Sequence, residues 1–275
     1  MPQLADAATQ LTRHLTDATP PLLGAFLPAG FPDQISCVDL LHGLVQHGAD
    51  ILEVGVPVSH PALDGPAITA AYRQALAQNT RMQHVLTTVR HAAEAGAPVV
   101  VMSYWQAVLD HGVQRFAHEL AEAGAAGAMI PDLHLNHAAT WLEAARSAGI
   151  HTPQFAPRTA DDAQLARIAD VASGWIYAPA AHSATGYEGV LDVGAFGRFT
   201  ARLRARTRHP VVAGIGISTP AHASQIAPYT EGVVVGTPLV RPLLTQPRPE
   251  GAARTKALAA AFAQALRDPA EPRAA

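Results

Sequence analysis

Eight short apolar runs, each bounded by turn residues, punctuate the chain. They are LLGAFLP (22–28), DILEVGVP (50–57), PVVVMSY (98–104), GAMIPDL (127–133), HTPQFAP (151–157), GWIYAP (174–179), PVVAGIG (210–216) and GVVVGT (232–237). Their apolar positions are consecutive rather than alternating, so each strand must be covered on both faces. Between them lie helical patterns rich in Ala, Leu, Gln and Arg: PAITAAYRQALAQ, GVQRFAHELAEAG, NHAATWLEAARSAG, ADDAQLARIADVA and AFGRFTARLRART. Several close on Gly, the residue that most easily takes the left-handed turn after a helix. Buried strands alternating with helices run parallel through right-handed crossovers, and eight such strands close into a packed barrel. The expectation is α/β: one (β/α)8 TIM barrel over residues 1–275, with an extra N-terminal helix and a flexible tail from about residue 266. A doubly wound open sheet needs a dinucleotide fingerprint after its first strand, and PAGFPD supplies a single glycine.

A chain of 275 residues that is 49% hydrophobic and 15% charged has the apolar surface for one sizeable core. Its net charge of −3, with acids and bases interspersed, makes no electrostatic case for nucleic acid or an anionic membrane. Any bound anion is then captured locally, by backbone amides or a helix terminus. The lone cysteine, Cys37, lies in a helix-like apolar run and can form neither an internal disulfide nor a cysteine metal cluster. The opening MPQLADAATQLTRHLTDATP lacks the charged and apolar regions of a signal peptide, and no stretch approaches the ~18 apolar residues of a bilayer span. These features predict a cytoplasmic protein.

Chemistry in such barrels gathers at the C-terminal ends of the strands. Glu53 interrupts the second run, where burial would raise its pKa toward a useful range for proton transfer; a structural ion pair with Arg or Lys is an equal alternative. Asp64 follows in a loop stiffened by Pro57, Pro61 and Pro66, and on spacing alone it reads more readily as a helix cap. His60 in that loop is a weaker candidate base. The ends of runs seven and eight, GIGIS and VVGTP, offer Gly216, Gly236 and Thr237 as a cationless phosphate cradle, with plain turn glycines as the alternative. The small-residue loop 179–192 has the character of a lid. Tyr177, at its start, packs either against a planar substrate or into the core.

With these residues identified, the segment LEVGVPVSHPALDGP resembles the LExGxPxSDPxADGP signature of the tryptophan synthase alpha subunit family. FLPAGFPD, PDLHLNH, APRTADDAQL, YAPAAHSATG, GIGIS and VVGTPLV resemble further parts of it, so the likeness runs from about residue 20 to 245. It implies a lyase that cleaves indole-3-glycerol phosphate to indole and glyceraldehyde 3-phosphate without metal or organic cofactor. The resemblance assigns catalysis to Glu53 and Asp64, substrate binding to Phe26, Tyr104, Tyr177 and the lid residue Thr185, and phosphate binding to Gly186, Gly216, Gly236 and Thr237.

The chain departs from the family pattern at His60 and Phe31, each where an acid is usual, at Gln106–Ala107, and at Ala181 and Ser183. In the family these positions lie in or near the mobile loops and the face that meets the beta subunit. Lost charges there lead to the expectation of a stand-alone or specialised lyase whose coupling to a beta subunit is doubtful. The alternatives are a conventional alpha subunit working with a beta subunit, a non-catalytic regulatory barrel, or a barrel enzyme for another phosphosugar.

Overall fold

A computed structural model describes residues 4–269. Helix α1 (Leu4–Thr16) precedes eight strands: β1 (Leu22–Pro28), β2 (Ile51–Gly55), β3 (Val99–Met102), β4 (Ala125–Met129), β5 (Gln154–Phe155), β6 (Ile176–Pro179), β7 (Val211–Gly214) and β8 (Gly232–Val235). The helices between and after them are α2 (Gln34–Gln46), α3 (Pro66–Ala77), α4 (Met82–Ala93), α5 (Trp105–His111), α6 (Val113–Glu122) and α7 (Ala139–Ala148). They continue with α8 (Asp162–Val171), α9 (Val193–Arg204), α10 (Pro220–Ile226), α11 (Thr237–Thr245) and α12 (Arg248–Arg267). All paired strands are parallel, in the order β4-β3-β2-β1-β8-β7-β6-β5. This is the expected (β/α)8 barrel, with the additional helix at its N-terminal end.

Local chemistry sets the helix starts. Asp33, Asp161 and Asp192 each accept an amide of the first turn of α2, α8 and α9, satisfying a donor that the helix itself cannot. Pro66 opens α3, where its missing N–H costs nothing.

The ring closes between β4 and the residue that leads into β5. His151 donates its amide to Ala126 and accepts that of Ala128, both at 2.9 Å. This seam is a single bridge and not a strand ladder because β5 is only two residues long: Pro153 precedes it, Pro157 follows one residue beyond it, and neither carries an amide to donate. The expected span 151–157 is shortened accordingly. Strand β4 begins earlier than expected and ends at Met129, after which the chain turns at Pro131–Asp132. Helix α1 braces the seam from the N-terminal side of the strands. Its Thr12 hydroxyl lies 2.9 Å from His151 Nε2, and Leu11 and Leu15 are buried.

At the far end, α12 continues through Arg267 with Leu266 buried, so ordered structure passes the point where the tail was expected. The rest of that tail, 270–275, lies outside the described residues. No helix among the described residues is long and apolar enough to cross a membrane.

The seam yields a stability test. A Cβ on Gly127 would lie 2.9 Å from the His151 carbonyl oxygen, so Gly127→Val must force β4 and His151 apart. Urea unfolding should show a loss of about 1–3 kcal/mol, the usual range for overpacking a tight site.

Candidate active site

The strand register assembles the site. Phe26 on β1 pairs with Glu53 on β2, and Glu53 with Val100 on β3, while Phe155 on β5 pairs with Tyr177 on β6. The ten residues singled out from sequence (Phe26, Glu53, Asp64, Tyr104, Tyr177, Thr185, Gly186, Gly216, Gly236 and Thr237) all line one cavity at the C-terminal mouth.

Glu53 is 3% exposed, and among the described residues it has neither an Arg or Lys partner nor a hydrogen bond from the protein. That removes the structural ion pair as its explanation. Burial strips its carboxylate of hydration and, with the nearby charge of Asp64, pushes its pKa from 4.5 up to about 8.

Asp64 is not a helix cap: the cap position of α3 is Gly65, and no side chain bonds there. Instead Asp64 Oδ2 accepts the Tyr104 hydroxyl at 2.7 Å and Oδ1 accepts that of Thr185 at 3.3 Å. Burial raises the Asp64 pKa, while those two bonds favour its ionised form and oppose the rise.

Thr185 ties the lid loop to the β2 loop. Its amide donates to Leu63 O (3.1 Å), and its hydroxyl accepts the Gly65 amide (2.8 Å). The contact needs a glycine for space alone, since a Cβ on Gly65 would lie 2.0 Å from the Thr185 carbonyl oxygen. Farther along the loop Glu188 pairs with Arg241 of α11.

The two sides of the cavity differ in character. From β3 round to β6 the wall is apolar: Met102, Met129, Pro131, Phe155 and Tyr177. Phe155 and Tyr177 stack with centroids 5.9 Å apart and 25° between their planes. The β7–β8 side is built from Gly216, Ser218, Gly236 and Thr237, with the N-terminus of α11 beginning at Thr237. Gly216 has φ +101°, and its backbone passes so close to the lid that a Cβ would lie 2.5 Å from Cβ of Ala181. Ile215 beside it is a β-branched residue at φ +40°, a strained conformation. Among the described residues no Lys, Arg or His lines the cavity, so an anion on this side meets only amides, hydroxyls and the positive end of a helix.

Sequence reasoning missed Met102, Met129 and Phe155. Pairing β2 with β3 would have revealed Met102, which sits two residues beyond Val100 and therefore on the same face as Glu53. The other two required knowing where β4 and β5 end.

The departures from the family pattern separate by location. His60, Gln106 and Ser183 are exposed and Ala107 is half-buried. Phe31 is wholly buried and Ala181 is buried beneath Gly216, so these two are internal packing residues and not part of a partner-facing surface. Among the described residues no group of three or more His, Cys, Asp or Glu is arranged to hold a metal ion.

A parallel eight-stranded barrel with a carboxylate pair and a glycine-built cradle at its mouth defines a (β/α)8-barrel enzyme. The profile of the tryptophan synthase alpha chain family matches residues 15–268. The alpha chain from Streptomyces coelicolor is 41% identical over 246 residues, covering 88% of this chain and 90% of that one. The alpha chain from Thermobifida fusca is 38% identical over 245 residues, with 87% and 90% covered. A structure of tryptophan synthase from Mycobacterium tuberculosis superposes with a TM-score of 0.86 at 34% identity, covering 94% of this chain and 98% of that one. The tryptophan synthase subunit alpha of Legionella pneumophila superposes at 0.84 with 27% identity and the same coverage. The chain belongs to the tryptophan synthase alpha chain family, whose members are carbon–carbon lyases. The expectation of a stand-alone or specialised lyase finds no support among these relatives, and a conventional alpha chain fits them better.

Two predictions concern the site itself. The folded chain holds the Glu53 proton up to about 8, whereas an unfolded chain releases it near 4.5, so stability falls as pH rises through that interval. Glu53→Gln should remove that slope, and its melting temperature should gain on the parent steadily as pH rises between those values. Gly65→Ala should unseat the lid, read as faster hydrogen exchange across residues 180–192 with the global melting temperature little changed.

Proposed function

We propose that the chain cleaves indole-3-glycerol phosphate to indole and glyceraldehyde 3-phosphate as a conventional alpha subunit. The observation that carries this reading is one cavity joining an aromatic and thioether wall to a cationless anion cradle, with Glu53 and Asp64 at its mouth. The flat ring lies against Met102, Met129, Phe155 and Tyr177, with Phe26 beside them, and the phosphate sits on Gly186, Gly216, Gly236 and Thr237. The glycerol carbons then span the interval between these walls, beside Glu53.

Glu53 enters the reaction protonated, as its raised pKa favours. It delivers that proton to ring carbon C3, which makes C3 tetrahedral, leaves an iminium between C2 and the ring nitrogen, and so makes C3 a competent leaving group. The resulting carboxylate then takes the proton of the hydroxyl on the adjacent carbon. The carbon–carbon bond breaks, its electron pair restores the aromatic ring, and the aldehyde forms. Glu53 ends as it began. Asp64, oriented by Tyr104 and Thr185, accepts the ring N–H and stabilises the positive charge that develops on nitrogen. Lid contacts through Thr185 couple closure over the substrate to the orientation of Asp64.

The partner is a beta subunit. Solved relatives carry the names tryptophan synthase and tryptophan synthase subunit alpha. Ile35, Leu109 and Val190, the large apolar side chains that stand exposed among the described residues, lie on segments that follow β1, β3 and β6 at the mouth side of the barrel.

The test is incubation with indole-3-glycerol phosphate, following indole and aldehyde release, with and without a beta subunit. Glu53→Gln should lower turnover on the order of 10²–10⁴-fold, and Asp64→Asn on the order of 10²–10³-fold, with substrate binding retained. Beta subunit should raise the rate and co-elute with the chain on gel filtration. Substrate left uncleaved under both conditions overturns the reaction; cleavage with neither activation nor complex restores the stand-alone alternative.

A further inference from the structure

Three tyrosines carry the negative charge of the site in their surroundings, and two have evident work. Tyr104 donates to Asp64, and the Tyr177 hydroxyl is engaged by the backbone of Ile215. Tyr72, on α3, is wholly buried, and its hydroxyl has no hydrogen-bond partner among the described residues. Leaving a phenol O–H unsatisfied is costly, and a Phe of the same shape would avoid that cost.

Where this hydroxyl points is informative. It lies 2.8 Å from the place where a side chain on Gly55 would begin, next to the Phe26 ring edge at 2.6 Å from the same point. Gly55 follows Glu53 by two residues on β2, so that point belongs to the face carrying Glu53. The missing side chain of Gly55 is thus the opening through which a residue of the covering helix reaches the inner face of β2. Glu53, in turn, is a buried carboxyl that accepts no hydrogen bond from the described residues. Two residues of strand separate their attachment points by about 6.6 Å, and the three rotatable bonds of a glutamate side chain bridge much of that distance. A donor without an acceptor and an acceptor without a donor share one strand face.

We propose that Tyr72 is a positioning residue for Glu53, its hydroxyl donating a hydrogen bond to the Glu53 carboxylate during the interval after that group has given up its proton. The inference rests on the reading of Glu53 as the proton-transfer group. The titratable groups around Glu53 are Asp64 from its own loop, Tyr104 after β3, Tyr177 from β6 and Tyr72 from α3. Burial and the charges of Asp64 and Glu53 keep the Tyr72 hydroxyl protonated, so it is available as a donor.

Tyr72→Phe separates the possibilities because it keeps the ring and removes only the hydroxyl. If Tyr72 supports the carboxylate, kcat falls roughly 10- to 100-fold, within the span of general acid–base effects, with little change in KM. Losing a donor to the charged form raises the Glu53 pKa, so the basic limb of the pH–rate profile moves to higher pH. Difference infrared titration of the free protein, assigned with Glu53→Gln, should show the same displacement without relying on turnover. Unchanged kcat with an unmoved limb and a raised melting temperature would overturn the proposal, as would a kcat loss with both titrations unmoved. Failure of the parent reading looks different: there, Glu53→Gln itself keeps its turnover.

Discussion

A carboxyl group held in the middle of a buried barrel strand without a cation to neutralise it is costly to fold around. Glu53 pairs in register with Phe26 and Val100, and the strand packing that excludes water from it also lifts its pKa toward neutrality. A lysine or arginine in the cavity would have eased that burial, and it would also have fixed the group as an anion. The cationless lining serves both ends of the site. In the proposed reaction it leaves Glu53 able to exchange a proton, and it leaves the phosphate to be held by amides and a helix terminus alone.

The second carboxylate is handled in the opposite way. Asp64 stands on a loop rather than a strand, and each of its oxygens accepts a hydroxyl, one from the end of β3 and one from the lid. Its environment therefore depends on the lid being seated, whereas that of Glu53 is built into the barrel wall. Thr185 contacts Leu63, Asp64 and Gly65 together, so the seat of this loop and the orientation of Asp64 are held by the same residue. The two acids differ because one is dried by the barrel wall and the other is hydrogen-bonded by residues of two loops.

The departures from the family pattern illustrate how little a residue's identity says about its location. Phe31 stands where an acid is usual and reads in sequence as a lost surface charge, yet it is a core side chain. Ala181 is likewise internal, lying beneath Gly216 where the lid and the β7 loop meet. With those two removed, the case for a lost partner surface rests on His60, Gln106, Ala107 and Ser183, while apolar side chains still stand exposed around the mouth. Membership of the alpha chain family accords with the simpler view.

Much of this molecule was legible in one dimension. Consecutive apolar runs can be satisfied only by strands covered on both faces, so the runs at 22–28, 210–216 and 232–237 located the parallel barrel, and the polar interruptions located Glu53 and the glycines of the β7 and β8 loops. Periodicity could not place the ends of β4 and β5, where proline and a turn cut the ladder short, and so Met129 and Phe155 stayed invisible as parts of the site. Nor could it decide whether Glu53 meets a cation, whether Asp64 caps a helix, or that Tyr72 turns its hydroxyl toward Gly55. Strand patterns are written in neighbouring residues and follow from local burial. Partnerships between β2, its loop, α3 and a lid more than a hundred positions away are set only when the barrel closes, because only closure determines which groups lose their water together.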